Sequence, residues 1–262
     1  MIKLENIYCR YEDNILENIN LNIEKEITFI IGKNGSGKST LASVLSGLKK
    51  PYKGNIIIDN TLITKNTSIK DIRSKIGMVF QNPSNQIVFS RVYDDIKFTL
   101  DNMNTDKSLI DNIIINSLKE VSVEDFKEAN PYNLSLGQKQ RITIASQLAL
   151  KPDYIIFDEA TSMLDINGKK DIYELITKLK NEGIGVIFIT NIMDELIYAD
   201  KVLILDNKKI YNYSKEEILS DLEILKRHKL DIPFSLKIIN LLRKKGINTI
   251  NEDLIIKELE NL

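Results

Sequence analysis

Residues 32–40 read GKNGSGKST and fit the pattern G-x-x-x-x-G-K-[S/T]. The stretch follows ITFII (27–31), a short β-branched run suited to a buried strand, and it opens the helix-like segment KSTLASVLSGL. Its glycines remove the Cβ atoms that would hold the backbone away from an anion. Successive amides and the helix N-terminus then supply the field that anionic oxygens need. Strand, phosphate-wrapping loop and helix in this order specify an α/β fold built around a nucleotide phosphate site. In such a loop Lys38 reaches the β- and γ-phosphates, and Ser39 offers its hydroxyl to Mg2+. Gly32, Lys33, Asn34, Gly35, Ser36, Gly37 and Thr40 complete the ATP cradle.

The remaining pattern agrees with that fold class. NIIID (55–59), IGMVF (76–80), YIIF (154–157), GVIFI (185–189) and KVLIL (201–205) read as further strands. GQKQRITIASQLAL and NGKKDIYELITKLKNEG read as helices on either side of 154–157. Such alternation predicts a largely parallel sheet. KLENIYCRY and NINLNIE alternate apolar and polar residues more strictly, which predicts an antiparallel piece beside it. Residues from about 90 to 150 carry almost no strand signal and are expected to form a helical insert. From Ser214 the pattern changes. SKEE predicts a capping box, with Ser214 as N-cap and Glu217 reaching back. PFSLKIINLLRKKG predicts a helix with Phe234, Ile238, Leu241 and Leu242 on one face, stopped by Gly246. The chain thus divides into residues 1–213 and a small helical extension over 214–262.

Composition excludes several functions. Lysine and arginine total 36 against 37 acidic residues, a net charge of −1, so bulk charge gives no reason to expect nucleic acid as a partner. The single cysteine, Cys9, rules out a disulfide within the chain and a cysteine-based zinc site. The apolar runs fall well short of the ~20 residues that span a bilayer. MIKLENIYCRY reads as a strand rather than a targeting leader. The expectation is a soluble intracellular protein whose membrane role, if any, comes through a partner.

YIIFDEA (154–160) supplies the second half of a hydrolytic site. Asp158 ends a buried strand and is placed to hold Mg2+. Glu159, one residue on, is suited to align and deprotonate an attacking water.

LSLGQKQR (134–141) starts 24 residues before Asp158 and resembles the signature motif of ATP-binding cassette (ABC) ATPases. VFQNP (79–83) resembles the family's Q-loop, with Gln81 at the key position and a second Mg2+ ligand role beside Ser39 and Asp158. SMLD (162–165) resembles the D-loop, ending in Asp165. Tyr11 stands where the family stacks an aromatic on adenine, with Tyr8 as the alternative. The resemblance covers residues 1 to about 213. It implies a P-loop NTPase of ABC type: a RecA-like core, an antiparallel β subdomain and a helical subdomain. It also implies head-to-tail dimers in which Ser135, Gly137 and Gln138 face the ATP held by a partner.

QNPSNQIVFSRVYDDI (81–96), EATSMLD (159–165) and DIPFSLKIINLLRKKGIN (231–248) are similar to segments of energy-coupling factor transporter ATPases. That resemblance implies a membrane-bound importer for vitamins or metal ions, worked from the cytoplasmic face of the membrane. Its parts are a second ATPase (a paralogue or a second copy), a transmembrane coupling protein and a substrate-binding membrane subunit. The C-terminal extension would help dimerise the ATPases. Competing readings are another ABC transporter's ATPase and a regulatory half with little hydrolysis.

Two positions depart from the family pattern. In FITNIMDE (188–195), Asn191 stands where the family has the histidine that reaches the γ-phosphate. In the signature, Leu136 stands where glycine is usual. Asparagine keeps an amide donor but is shorter and carries no charge. The expectation is a weakened site that still binds ATP, and an asymmetric heterodimer in which an intact paralogue does most of the hydrolysis.

Overall fold

The computed structural model describes residues 1–10, 12–64, 66–244 and 246. In chain order the strands are Ile2–Arg10 (β1), Asn14–Ile23 (β2), Ile27–Ile31 (β3), Lys53–Ile58 (β4), Thr61–Ile63 (β5), Ile76–Val79 (β6), Tyr154–Asp158 (β7), Gly185–Ile189 (β8), Lys201–Asp206 (β9) and Lys209–Ser214 (β10). The helices are Lys38–Leu45 (α1), Ile69–Lys75 (α2), Val92–Asn102 (α3), Ile110–Glu120 (α4), Leu136–Leu148 (α5), Ile166–Asn181 (α6), Lys215–Ser220 (α7), Glu223–Arg227 (α8) and Phe234–Lys244 (α9).

Two sheets separate the strands. The larger has the order β10-β9-β3-β8-β7-β6, parallel except for the β9–β10 hairpin. Its central strands are buried on both faces, which is why they read as unbroken apolar runs. Phe29, Phe157 and Phe188 stack on one face, next to α3–α6. Ile30, Ile156 and Ile189 line the other, with α1 and the second sheet.

That second sheet is antiparallel, in the order β2-β1-β4-β5. It corrects one expectation. Residues 55–59 look like a core strand, but they belong here, paired with β1. Only one face of β4 is covered, and residues 53–55 are exposed. Three isoleucines in a row hide the period that separates a half-buried strand from a buried one.

Residues 92–148 hold no strand; their regular elements are α3, α4 and α5, joined by loops and two short 3-10 turns. Beyond β10, Ser214 and Glu217 form the expected capping box at the start of α7. Helix α9 corrects a second expectation. Its buried residues are Leu236, Ile239, Asn240 and Leu242, whereas Phe234 is 75% and Leu241 60% exposed. Asn240 turns inward because its amide donates to the Leu219 carbonyl at 2.5 Å and to the Ser220 carbonyl at 3.4 Å, satisfying the end of α7. Gly246 follows in the left-handed conformation at φ 84°. Residues 247–262 of the extension lie outside the described residues. No helix among the described residues is long and apolar enough to cross a membrane.

Candidate active site

The site is assembled from strand ends. β3, β8 and β7 are parallel neighbours, so their carboxyl ends emerge on one edge of the sheet. That edge is where open α/β sheets bind ligands. β3 delivers residues 32–40, β7 delivers Asp158 and Glu159, and β8 delivers Thr190 and Asn191.

The loop after β3 is folded too tightly for side chains at two positions. A Cβ on Gly32 would stand 2.4 Å from the Leu205 carbonyl oxygen. One on Gly37, at φ 105°, would stand 2.7 Å from Ile15 Cγ2. Gly37 also begins α1, which has no side-chain cap and no acidic residue in its first turn. Its leading amides are therefore left for an external anion. Lys38 is 5% exposed, and its ammonium donates to the carbonyls of Gly32 at 2.8 Å and Lys33 at 3.1 Å. Burial pulls its pKa down, opposed by the charges of Glu159 and Asp158. The Ser36 hydroxyl is buried with no hydrogen-bond partner. Bare amides, a held ammonium and an unpaired buried hydroxyl fit the phosphates of a nucleotide.

Ser39 donates to Asp158 Oδ1 at 3.3 Å. Burial pushes the Asp158 carboxyl up, and Glu159 adds to this, while the Ser39 hydrogen bond and Lys38 oppose it. A carboxylate held at such cost gains most from a cation. The Ser39 hydroxyl and Asp158 carboxylate are oxygen donors of the kind that would hold Mg2+, which would supply charge to nucleotide phosphates there.

Glu159 stands at φ 53°, a left-handed conformation that costs a residue with a side chain about 1–3 kcal/mol. Three contacts hold it there. Its amide donates to the Ile189 carbonyl at 2.9 Å, and its carbonyl accepts from the Ser162 amide at 3.1 Å and hydroxyl at 2.8 Å. The β7–β8 register sets Asp158 opposite Ile189. Asn191, two residues farther on, then reaches across, and its Nδ2 donates to Glu159 Oε1 at 2.5 Å. Gln81 donates to the Ser162 hydroxyl at 3.2 Å, so its amide sits on the segment after Glu159 rather than on the Ser39–Asp158 pair. Tyr11 lies outside the described residues. Tyr8 packs against Tyr52, with ring centroids 6.1 Å apart.

A second group stands apart. Ser135, Gly137, Gln138 and Asp165 line another cavity, of about 350 Å3, none of whose walls comes from residues 32–40. Ser135 caps α5: its hydroxyl accepts from the Gln138 amide at 3.3 Å, and Gln138 Oε1 accepts from the Ser135 amide at 2.8 Å. The box does not use the Gly137 amide. Leu136 is 41% exposed, and Asp165 caps α6 by accepting from the Gly168 amide at 2.8 Å.

Comparison with known proteins agrees with this geometry. The profile of the ABC transporter family matches residues 16–162, more than half of the chain. The chain belongs to the ABC transporter family. Its relatives include energy-coupling factor transporter ATP-binding proteins of Clostridioides difficile, 40% identical over 99% of this chain and 96% of that protein, and of Bacillus subtilis, 40% identical over 100% and 97%. Among solved structures, cbiO1 from Clostridium perfringens, part of the ABC transporter complex cbiONQ, is 33% identical with a TM-score of 0.78 over 91% of this chain and 98% of that one. An ATP-binding cassette in a dimeric post-hydrolysis state, bound to ADP and Pi, is 30% identical with a TM-score of 0.74 over 82% of this chain and 99% of that one.

The fold is therefore that of an ABC ATPase. Motif reasoning missed one wall of this cassette's site. Lys229, Leu230, Asp231 and Pro233 line a cavity of about 810 Å3 with Gly32, Lys33, Asn34 and Asn191. They follow α8 in sequence and carry no motif, so nothing local marks them.

Proposed function

We propose that this chain is the ATP-binding and ATP-hydrolysing subunit of an energy-coupling factor importer. Residues 32–40 hold the phosphates, Ser39 and Asp158 hold Mg2+, Glu159 activates water, and Asn191 steadies Glu159. The observation that carries this reading is the Asn191–Glu159 hydrogen bond at 2.5 Å, set beside a bare α1 N-terminus and the Ser39–Asp158 contact. An amide donor on the base orients it without neutralising it, so hydrolysis proceeds, more slowly than with a charged imidazolium.

Ser135 and Gly137 complete the site of a second ATPase, a paralogue or another copy, and Asp165 lies at the same contact. That reading is supported by a cavity of their own that no residue of 32–40 lines, and by the exposed apolar residues Leu136, Met163 and Ile166. The exposed Phe234 and Leu241 on α9 support a further contact between ATPases through the C-terminal extension. A transmembrane coupling protein docks in the groove lined by Leu48, Phe80, Phe98 and Leu150, of which Leu48 and Phe98 are exposed. The chain then works peripherally at the cytoplasmic face of the membrane. A separate membrane subunit selects the vitamin or metal ion.

The test is steady-state Mg-ATP hydrolysis by the assembled complex, with the catalytic base of any paralogous partner ATPase removed so that only this chain's site is read. Turnover that survives Glu159→Gln unchanged would sink the proposed chemistry at this site. Failure of the chain to co-purify with membrane subunits would sink the transport role.

A further inference from the structure

Glu195 is 2% exposed and lies in the 3-10 helical turn Met193–Tyr198, four residues beyond Asn191. One carboxylate oxygen accepts from the Thr161 hydroxyl at 2.7 Å and from the Tyr173 hydroxyl at 2.5 Å. The other, Oε2, is buried with no partner. A buried acid satisfied on one side only is costly, and an apolar residue in its place would be cheaper for stability alone.

Its two partners explain what the cost secures. Thr161 is fully buried and lies two residues beyond Glu159. Tyr173 lies on α6, the helix that Asp165 caps, and stacks on Tyr198 with ring centroids 4.1 Å apart. Burial and then the charge of Glu195 push the Tyr173 phenol above its usual range, so it stays a donor. The segments leaving β7 and β8 are thus joined by successive rungs: Glu159 amide to Ile189 carbonyl, Asn191 to Glu159, and Thr161 to Glu195. The last rung lies deepest in protein and ties both segments to α6.

We propose that Glu195 is a positioning residue for hydrolysis, holding the Asn191 amide on Glu159 by locking the turn after β8 to Thr161 and Tyr173. The inference rests on the roles proposed above for Glu159 and Asn191. It concerns turnover and not nucleotide affinity, because the residues that hold phosphate come from β3 and α1.

The experiment is a double-mutant cycle on the full chain in its complex, reading kcat and KM for Mg-ATP. Glu195→Ala is expected to lower kcat roughly tenfold with KM within about twofold, and Glu195→Gln, which keeps an acceptor oxygen, to recover most of the loss. In an Asn191→Ala background the same Glu195→Ala change is expected to cost less than about twofold, because its route of action is gone. Equal losses in both backgrounds, no loss in either, or a rise in KM alone would each overturn the proposal. If Glu195→Ala does not fold, Thr161→Val and Tyr173→Phe each remove one donor, and the cycle is read on them. Wild-type turnover in Asn191→Ala by itself would overturn the role of Asn191 and this inference with it. A drop there with no coupling to Glu195 would overturn this inference alone.

Discussion

Helices α1 and α5 both begin at a sequence motif tied to nucleotide phosphate, yet their N-termini are prepared differently. α1 starts at Gly37 with no side-chain cap, beside a buried lysine and an unpaired Ser36 hydroxyl. α5 starts at Ser135 with a complete capping box and an exposed leucine at its first position. A bare N-terminus in a tight loop costs stability until an anion arrives, so α1 is built to bind phosphate by itself. A self-capped N-terminus is stable without a ligand, so α5 is suited to wait on the surface for another subunit's nucleotide. The capping box leaves the Gly137 amide and the Ser135 O–H free to meet it.

The sharpest way to break this contrast is on the α1 side. Glu159→Gln is expected to lower turnover at this chain's own site by about 10²–10⁴ while ATP still binds, read by single-turnover hydrolysis and nucleotide titration with the catalytic base of any paralogous partner removed. Lost affinity instead would show that Glu159 belongs to the binding half of the site. Next in size is Asn191→His. A protonated imidazole facing transition-state charge is expected to raise turnover roughly tenfold at unchanged ATP affinity. An unchanged rate would show that the amide already does all that position requires, and the asymmetric heterodimer would lose its motive.

The pH dependence tests how far burial sets the α1 side apart. Burial raises the Asp158 carboxyl, so it takes up a proton at higher pH than an exposed aspartate does. Mg-nucleotide affinity is therefore expected to fall several-fold between about pH 7 and pH 5, by titration at fixed free Mg2+. For stability the sign reverses. A pKa raised on folding favours the fold below the unfolded carboxyl's pKa, and that contribution is lost as pH rises through the folded value. Nucleotide-free Asp158→Asn is thus expected to melt at or above the wild-type temperature near neutral pH, while losing Mg-nucleotide binding. A lower melting point would show that the ionised carboxylate stabilises the empty site.

The smallest effect is expected on the α5 side. Leu136 is 41% exposed and stands between Ser135 and Gly137, the two groups proposed to meet the partner's phosphate. Leu136→Gly is expected to change turnover in the complex by less than about threefold, since it leaves the capping box intact. A large gain would show that the leucine obstructs the partner's phosphate.

How much was legible depended on how local each feature is. The loop at 32–40, the acidic pair at 158–159 and the capping box at 214 are each set by adjacent residues, so they could be read from the sequence. The α/β class followed from the same local patterns. The membership of residues 55–59 in the second sheet did not, because pairing with β1 depends on residues about 50 positions away. The inward face of α9 turned on Asn240, whose burial makes sense only once the end of α7 lies beside it.

The sequence by itself determined a glycine-rich loop between a buried strand and a helix, an acidic pair at a strand end and a neutral residue at position 191. Each follows from residue type at short spacing, where geometry is set by one turn of chain. Only the tertiary structure decided that Asn191 meets Glu159, that Glu195 is buried against Thr161 and Tyr173, and that Lys229, Leu230, Asp231 and Pro233 share a cavity with Gly32 and Asn191. Those contacts depend on the register of parallel strands and on where separate helices come to rest, and both are settled by packing over the whole core.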